Sequence, residues 1–241
     1  MYLSAESPKR SLRSVTIDQV PHVLIGGEGH KTGQGICTMQ HYENLELFAE
    51  DHFGVQKIPY RWSAQDLITL DKMPYIGPIT SRHPNILVAT GYRKWGMTNG
   101  TAAALLLKDL IMDKDNPYSE VYTPQRFNAD PGIKHLLTDN ADVAVHFVVG
   151  KYEIVMKKPE ELVNEEGSVV SVNGKRAGAY RDAEGKLHVV DTTCTHMGCE
   201  VEWNHGDLSW DCPCHGSRFN IDGKVLEGPA KEPLALIELN D

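Results

Sequence analysis

Two short runs near the end of the chain hold most of its soft metal ligands. They are Cys194-Thr195-His196-Met197-Gly198-Cys199 and Cys212-Pro213-Cys214-His215-Gly216-Ser217. Each run offers thiol and imidazole groups a few residues apart on what reads as a short loop. Thiolates are soft ligands and imidazoles borderline ones, so the mixed set suits zinc or an iron–sulfur cluster. Zinc is the commoner guest of loop-borne Cys/His pairs. Four cysteines and two histidines are more than a four-coordinate zinc site uses, and a zinc ribbon has no need of the Gly-Ser that closes the second run. The clustering also argues against thiols packed singly as small hydrophobes.

The two runs resemble the Rieske [2Fe–2S] proteins, in the form that carries a disulfide between the cluster loops. There, CTHxGC is followed by CPCHGS, as here. The resemblance implies that Cys194 and Cys212 hold one iron and His196 and His215 the other. It further implies a loop-bridging disulfide between Cys199 and Cys214. Ser217 matches a residue whose hydroxyl donates to a bridging sulfide. Two residues later the family often has a tyrosine that donates to a ligand sulfur; this chain has Phe219. With one donor fewer, the expected potential falls below that of the high-potential members, inside a range of roughly −150 to +300 mV. Gly228-Pro229-Ala230 matches the family's proline loop, which covers the cluster from a third side.

These loops need a scaffold, and the chain around them reads as one. Ser168–Asn173, Gly178–Arg181, Leu187–Val190, Leu208–Asp211, Ser217–Asn220 and Leu234–Leu239 are short β-type runs. Gly174, Asp182 to Gly185 and Asp222-Gly223 punctuate them. The expected fold is a small all-β, barrel-like domain with Trp203 and Trp210 in its core. Lys157 to Gly167 is charged and short, a linker by composition. The boundary is placed near Pro159, dividing the chain into 1–155 and 156–241.

A chain of 241 residues is expected to hold two domains. Composition is that of an ordinary water-facing protein: 41% hydrophobic, 24% charged and a net charge of −9. Residues 156–241 carry 9 Lys and Arg against 16 Asp and Glu, a net −7, which leaves −2 for residues 1–155. No basic patch argues for nucleic acid. No run nears the roughly 18 apolar residues that span a membrane. The N-terminus lacks an apolar signal core. A cytoplasmic location is the expectation, although disulfides are rare there. The pair of loops is expected to shield the bridge.

The first half alternates strands and helices. Val20–Gly27 reads as a strand, and Met39–Phe53 as a helix with inward Leu45, Leu47 and Phe48, stopped by Gly54. Gly27-Glu28-Gly29 lacks the third glycine of a dinucleotide fingerprint and reads as a turn. Cys37 is expected to be buried. Pro74–Pro78 reads as a turn or loop, and Asn85–Thr90 as a buried strand parallel to its neighbours. A glycine-rich loop from Gly91 then leads into a helix over Thr101–Met112. Asp115–Pro117 and Asp130–Gly132 are turn signals, and Ala141–Val149 is a docked helix or strand. His135 and His146 have no ligand-spaced partner and read as structural.

Strand, glycine loop and helix together aim free backbone N–H groups and a positive dipole end at whatever lies over the loop. The stretch Tyr60–Ile111 is similar to the C-terminal part of the FAD-dependent amino-acid oxidases of the glycine- and sarcosine-oxidase group. PYIG at Pro74–Gly77 and ATG at Ala89–Gly91 carry the likeness, and Leu3–Phe53 resembles the end of that family's substrate sheet. The resemblance implies an α/β, FAD-linked fold before the β domain, with Gly91, Gly96, Met97 and Thr98 on the flavin-facing loop. Trp95, in the same loop, is read as a packed aromatic at a domain contact, with a role in electron transfer as the alternative. The G-x-G-x-x-G unit and ribose acid are missing. The chain is therefore expected to be the C-terminal portion of a flavoprotein–Rieske fusion that holds FAD poorly alone. Arg61, Arg93 and Lys94 are candidate partners for an anionic donor. No catalytic acid or base is assigned.

The expected function is a flavin-linked oxidoreductase that passes electrons singly from an amine-type donor, through the cluster, to a redox partner. The alternatives are a stand-alone Rieske electron carrier with a vestigial or partner-docking flavoprotein fragment and, more remotely, a zinc-binding interaction module.

Overall fold

The computed structural model describes residues 1–5, 7–55, 57–126 and 129–239, with side chains described except at 129–137 and 139. Packing divides it into two compact units. One comprises residues 1–63 and 143–241, and the other residues 64–142. The division by family likeness at 155/156 is thus not the division by packing, because residues 1–63 pack with the C-terminal β domain.

In the first unit, β1 (Tyr2–Leu3), β2 (Ser11–Ile17) and β3 (Val20–Gly26) form an antiparallel meander. Asp18 and Gln19 turn the β2–β3 hairpin with φ of 48° and 65°, the two left-handed residues that a tight hairpin of this hand requires. Helix α1 (Thr38–Phe53) follows. It ends where Gly54 takes the left-handed conformation and donates its N–H to Glu50 O. The inward residues of α1 are Thr38, His41, Tyr42, Leu45, Phe48 and Ala49, whereas Leu47 is exposed. Cys37, expected inside, is exposed beside the helix start.

The second unit corrects three expectations. Pro74–Pro78 is not a loop. Tyr75 opens β4 (Tyr75–Thr80), which pairs with β5 (His83–Thr90). Nor is β5 parallel and buried. A two-residue turn joins it antiparallel to β4, and its first half is exposed. An apolar run carries no information on strand direction, and the local turn decided it. Helix α2 (Gly96–Ile111) starts five residues early and packs Ala103 and Leu106 on Ile76. Arg126 clamps this unit by a bidentate pair with Asp71, 2.7 and 2.8 Å, stacked over Tyr75. After α3 (Ser119–Tyr122) comes α4 (Ala129–Tyr152). Asp130–Gly132 lies in the first turn of α4, where a proline costs no helical hydrogen bond. Ala141–Val149 is helical, and the side chain of His135 lies outside the described residues.

The C-terminal domain is all antiparallel β. One sheet is β6 (Glu166–Val172), β7 (Lys175–Arg181) and β8 (Leu187–Val190). The other is β9 (Glu202–Asn204), β10 (Ser209–Asp211), β11 (Arg218–Phe219) and β12 (Val225–Glu227), in the order β12-β11-β10-β9. Trp210 is fully buried and Trp203 packs beside it, with ring centroids 4.8 Å apart. Gly178 on β7 makes the slot, since a Cβ there would lie 2.7 Å from the Trp210 ring. The expected linker is part of this domain. Pro159 sits in a 3-10 turn (Pro159–Glu161), and Leu162 joins the core with Val170 and Val189. The expected last strand is reduced to a bridge at Leu236, held by Ile237 N–H to Val189 O. Among the described residues no helix is long and apolar enough to cross a membrane.

Candidate metal centre

The two loops are built alike. In each, the first cysteine donates its N–H to the carbonyl five residues on: Cys194 to Cys199 at 2.7 Å, and Cys212 to Ser217 at 2.8 Å. In each, the glycine four residues on returns its N–H to that cysteine's carbonyl: Gly198 to Cys194, and Gly216 to Cys212. Both glycines are left-handed, with φ of 79° and 75°, and this reversal closes the loop at little steric cost. The loops converge with Cys194 and Cys212 buried and the His196 and His215 rings exposed. The imidazole centroids are 4.9 Å apart and nearly perpendicular.

Each inner sulfur lies over two backbone N–H groups. Those of His196 and Met197 face Cys194, and those of Cys214 and His215 face Cys212. The Cys212 thiol donates to the Cys194 sulfur. That hydrogen bond, aided by the N–H groups and the Ser217 hydroxyl and opposed by burial, brings the Cys194 thiol down to about 6. The same bond and burial push Cys212 up. The two buried sulfurs thus face each other in a pocket of N–H donors, a place a cation would take. Burial, and then the neighbouring His196, lower His215 and favour the neutral imidazole that binds metal. The donor set fits a cluster with thiolates inside and imidazoles at the surface.

Cys199 and Cys214 form a disulfide, joining the two loops. Among the described residues, Cys199, Cys212 and Cys214 also lie close enough to surround one ion. Two of these three sulfurs are spent on each other, so the grouping reflects how tightly the loops meet rather than a second site. The proline loop closes a triangle. Ser217 Oγ, fully buried, accepts the Ala230 N–H at 3.0 Å, and Thr195 Oγ1 donates to Glu232 O at 2.6 Å. Phe219 is fully buried and brings no donor.

The glycine loop of the other unit has a different character. Gly91 is buried against Thr69, whereas Gly96, Met97 and Thr98 are exposed on the first turn of α2. The first helical bond is Asn99 N–H to Trp95 O, and no side chain caps this end, so the three preceding N–H groups have no helical partner. Trp95, expected to be packed, is 45% exposed. Arg93 and Lys94 are exposed beside it. Arg61 belongs to the first unit, where it lies over Tyr42 and 3.6 Å from Glu46.

Several residues around the metal loops have no signature in the sequence. Arg218, directly after Ser217, donates to Asp211 at 3.1 Å and to Asp207 at 2.8 Å. Asn204 bridges the same two carboxylates. Asp207 is half-buried, and that burial alone would raise it. Donation from Ser63 and Tyr42 and the Arg218 charge hold it below its ordinary range. Burial and the Asp207 hydrogen bond push the Tyr42 phenol up. Glu200, next to the bridge, is buried and bonded to buried Thr192, and it pairs with the exposed Lys151 and with Arg176. The sequence reading reached the Cys and His residues of the two loops and Ser217, but none of these surrounding partners.

Comparison with known proteins gives two family matches: a Rieske [2Fe-2S] domain over residues 153–238, and an FAD dependent oxidoreductase over residues 11–110. The chain is 51% identical over its whole length to YhfW of Bacillus subtilis (strain 168), a protein named for a Rieske 2Fe-2S centre, and covers 47% of it. It thus spans about half the length of that relative. It is 38% identical over 78 residues to a cytochrome b6-f complex iron-sulfur subunit of Synechocystis, covering 32% of this chain and 35% of that one. A solved cyanobacterial plasma membrane Rieske protein from Synechocystis shares 34% identity over 29% of this chain and 72% of its own, with a TM-score of 0.27.

Proposed function

Residues 153–238 are a Rieske [2Fe–2S] domain and residues 11–110 are FAD-dependent oxidoreductase sequence, and from that premise we propose that the chain is the electron-relay portion of a flavin-linked oxidoreductase. Cys194 and Cys212 would hold one iron, and His196 and His215 the other. The observation that carries this assignment is the pair of buried, mutually hydrogen-bonded sulfurs, with two imidazoles 4.9 Å apart at the surface. The cluster supplies one-electron transfer, and the flavin of the complete protein supplies two-electron oxidation of a small amine-type donor.

This chain's own residues set the conditions. Four backbone N–H groups and the Ser217 hydroxyl stabilise negative charge on the sulfurs. The disulfide and the Thr195 and Ser217 hydrogen bonds hold the three loops together. The exposed imidazoles offer an edge to a redox partner. A net −7 over residues 156–241 suits a basic partner surface. No membrane or nucleic acid is required, and the proposed location is cytoplasmic. Gly91, Gly96, Met97 and Thr98 would offer a bound flavin a glycine turn and the uncapped N–H groups of the α2 start.

The test is the visible and low-temperature EPR spectrum of the purified chain, oxidised and dithionite-reduced. A reduced signal typical of histidine-ligated [2Fe–2S] centres supports the reading. A colourless, EPR-silent protein containing zinc overturns it. Because residues 1–63 pack with the β domain, a stand-alone carrier whose flavoprotein segment serves as a docking scaffold is the second reading. Added FAD separates the two, since only the relay reading requires flavin to bind once the remainder of the protein is supplied.

A further inference from the structure

The β domain meets residues 1–63 over a face that its own fold does not require. Asp207 accepts from Tyr42 Oη at 2.6 Å on one oxygen, and from Ser63 and Arg218 on the other. Thr38 Oγ1 donates to Asn204 Oδ1 at 2.7 Å and accepts the Gly206 N–H at 2.8 Å. Nearer the metal loops, Gln34 Nε2 donates to Pro213 O at 3.0 Å, one residue from the proposed ligand Cys212.

Two glycines, one on each side, make this face more than a set of polar contacts. Gly33 has φ of 67°, and a Cβ there would lie 2.8 Å from Asp211 O and Pro213 N, which are backbone atoms that cannot swing aside. Gly206 is not left-handed, so its lack of a side chain is not demanded by its own turn. A Cβ there would lie 2.8 Å from the Tyr42 ring and 3.1 Å from Thr38 Oγ1. Gly206 is needed only because residues 1–63 are present, whereas Gly33 is favoured both by its left-handed backbone and by the closeness of the Asp211–Pro213 peptide. The network also runs inward without a break: Arg218, which reaches Asp207 and Ser63, donates to buried Asp211 and Ser209. Undocking would strip partners from a buried charged cluster, which is costly. An encounter surface has a polar, solvated rim and no such continuity.

We propose that the β domain is locked onto residues 1–63 through Gly33–Gln34 against the Cys212–Pro213 peptide and Thr38, Tyr42 and Ser63 around Asn204–Asp207, so that the metal centre is a fixed relay and not a group carried on a moving head. The lock depends on the cluster assignment only for one of its probes.

The experiment is a pulsed dipolar EPR distance between the reduced cluster and a nitroxide on α1, attached at Leu47→Cys in a Cys37→Ser background. Leu47 is exposed and away from the contact residues. The lock requires one narrow distance distribution. Gly206→Ala, remote from the proposed ligands, and Gly33→Ala should each broaden it while the cluster signal persists. A broad distribution in the parent overturns the proposal, and so does a narrow one in both glycine variants. If the parent shows no cluster signal, the function proposed above fails and the lock is read by amide hydrogen exchange instead. Thr38→Ala should then speed exchange at Gly206 by about tenfold, as expected for a lost interface hydrogen bond. An unchanged rate refutes it.

Discussion

Replacing Ser217 by Ala tests the metal centre at one atom. The hydroxyl is fully buried, accepts the Ala230 N–H at 3.0 Å and donates to the Cys194 sulfur. A hydrogen bond to a charged group contributes about 1.5–3 kcal/mol in total. Only the part that strengthens when the cluster gains an electron moves the potential. If that part is about 1 kcal/mol, the potential of Ser217→Ala falls by about 40 mV, taking ~59 mV per tenfold for one electron. The same substitution orphans the buried Ala230 N–H, at a cost of about 1–3 kcal/mol in stability. The assay is a redox titration followed by the EPR signal, with denaturant unfolding in parallel. A variant that loses stability with no change in potential would show that Ser217 only ties the proline loop. A potential that rises would refute the electrostatic reasoning outright.

Other outcomes follow from the same geometry. Cys199→Ser or Cys214→Ser opens a bridge spanning 15 residues. It should cost up to about 3 kcal/mol and loosen the cluster loops, read as faster loss of the visible spectrum on heating. Arg126→Ala leaves Asp71 buried without its bidentate partner. It should destabilise residues 64–142 by about 3–5 kcal/mol, with Arg126→Lys only partly restoring them, as hydrogen exchange of α2 would show. Burial alone would raise Glu28, but hydrogen bonds from Arg10, His41 and Asn44 prevail and hold it at about 2. Its contribution is therefore complete above the unfolded value of 4.5 and is lost as pH falls through about 2. Glu28→Gln should flatten the stability profile in that window, measured by acid titration of unfolding. Phe219→Tyr places a hydroxyl in the fully buried core beside the loops. It should raise the potential if the hydroxyl reaches a ligand sulfur, as the EPR-monitored titration reads.

Much of the metal loops could be read directly from residue order. The thiols and imidazoles that converge there lie within six residues of one another in each run, and a tight loop closed by a glycine leaves them little choice of direction. The end of α1 was legible for the same reason, since Gly54 is a local signal. Its inward face was not. Thr38 and Tyr42 are polar, and a stripe search for apolar residues selects the exposed Leu47 instead. The charged stretch from Lys157 reads as a linker, yet Pro159 and Leu162 within it are buried. Composition averages over such single anchors. The direction of β5 likewise depended on a turn and a partner strand, neither of which an apolar run encodes.

The sequence alone determined which residues could bind metal, because ligand chemistry and loop closure act over a few covalent bonds. Only the tertiary structure decided what the β domain rests on. Gln34 meets Pro213, Thr38 meets Asn204 and Tyr42 meets Asp207 across more than 160 residues of chain. Such contacts leave no periodic mark on either segment. They exist because two folded surfaces exclude water together, and at two glycines that look incidental in the sequence those surfaces leave no room for a Cβ.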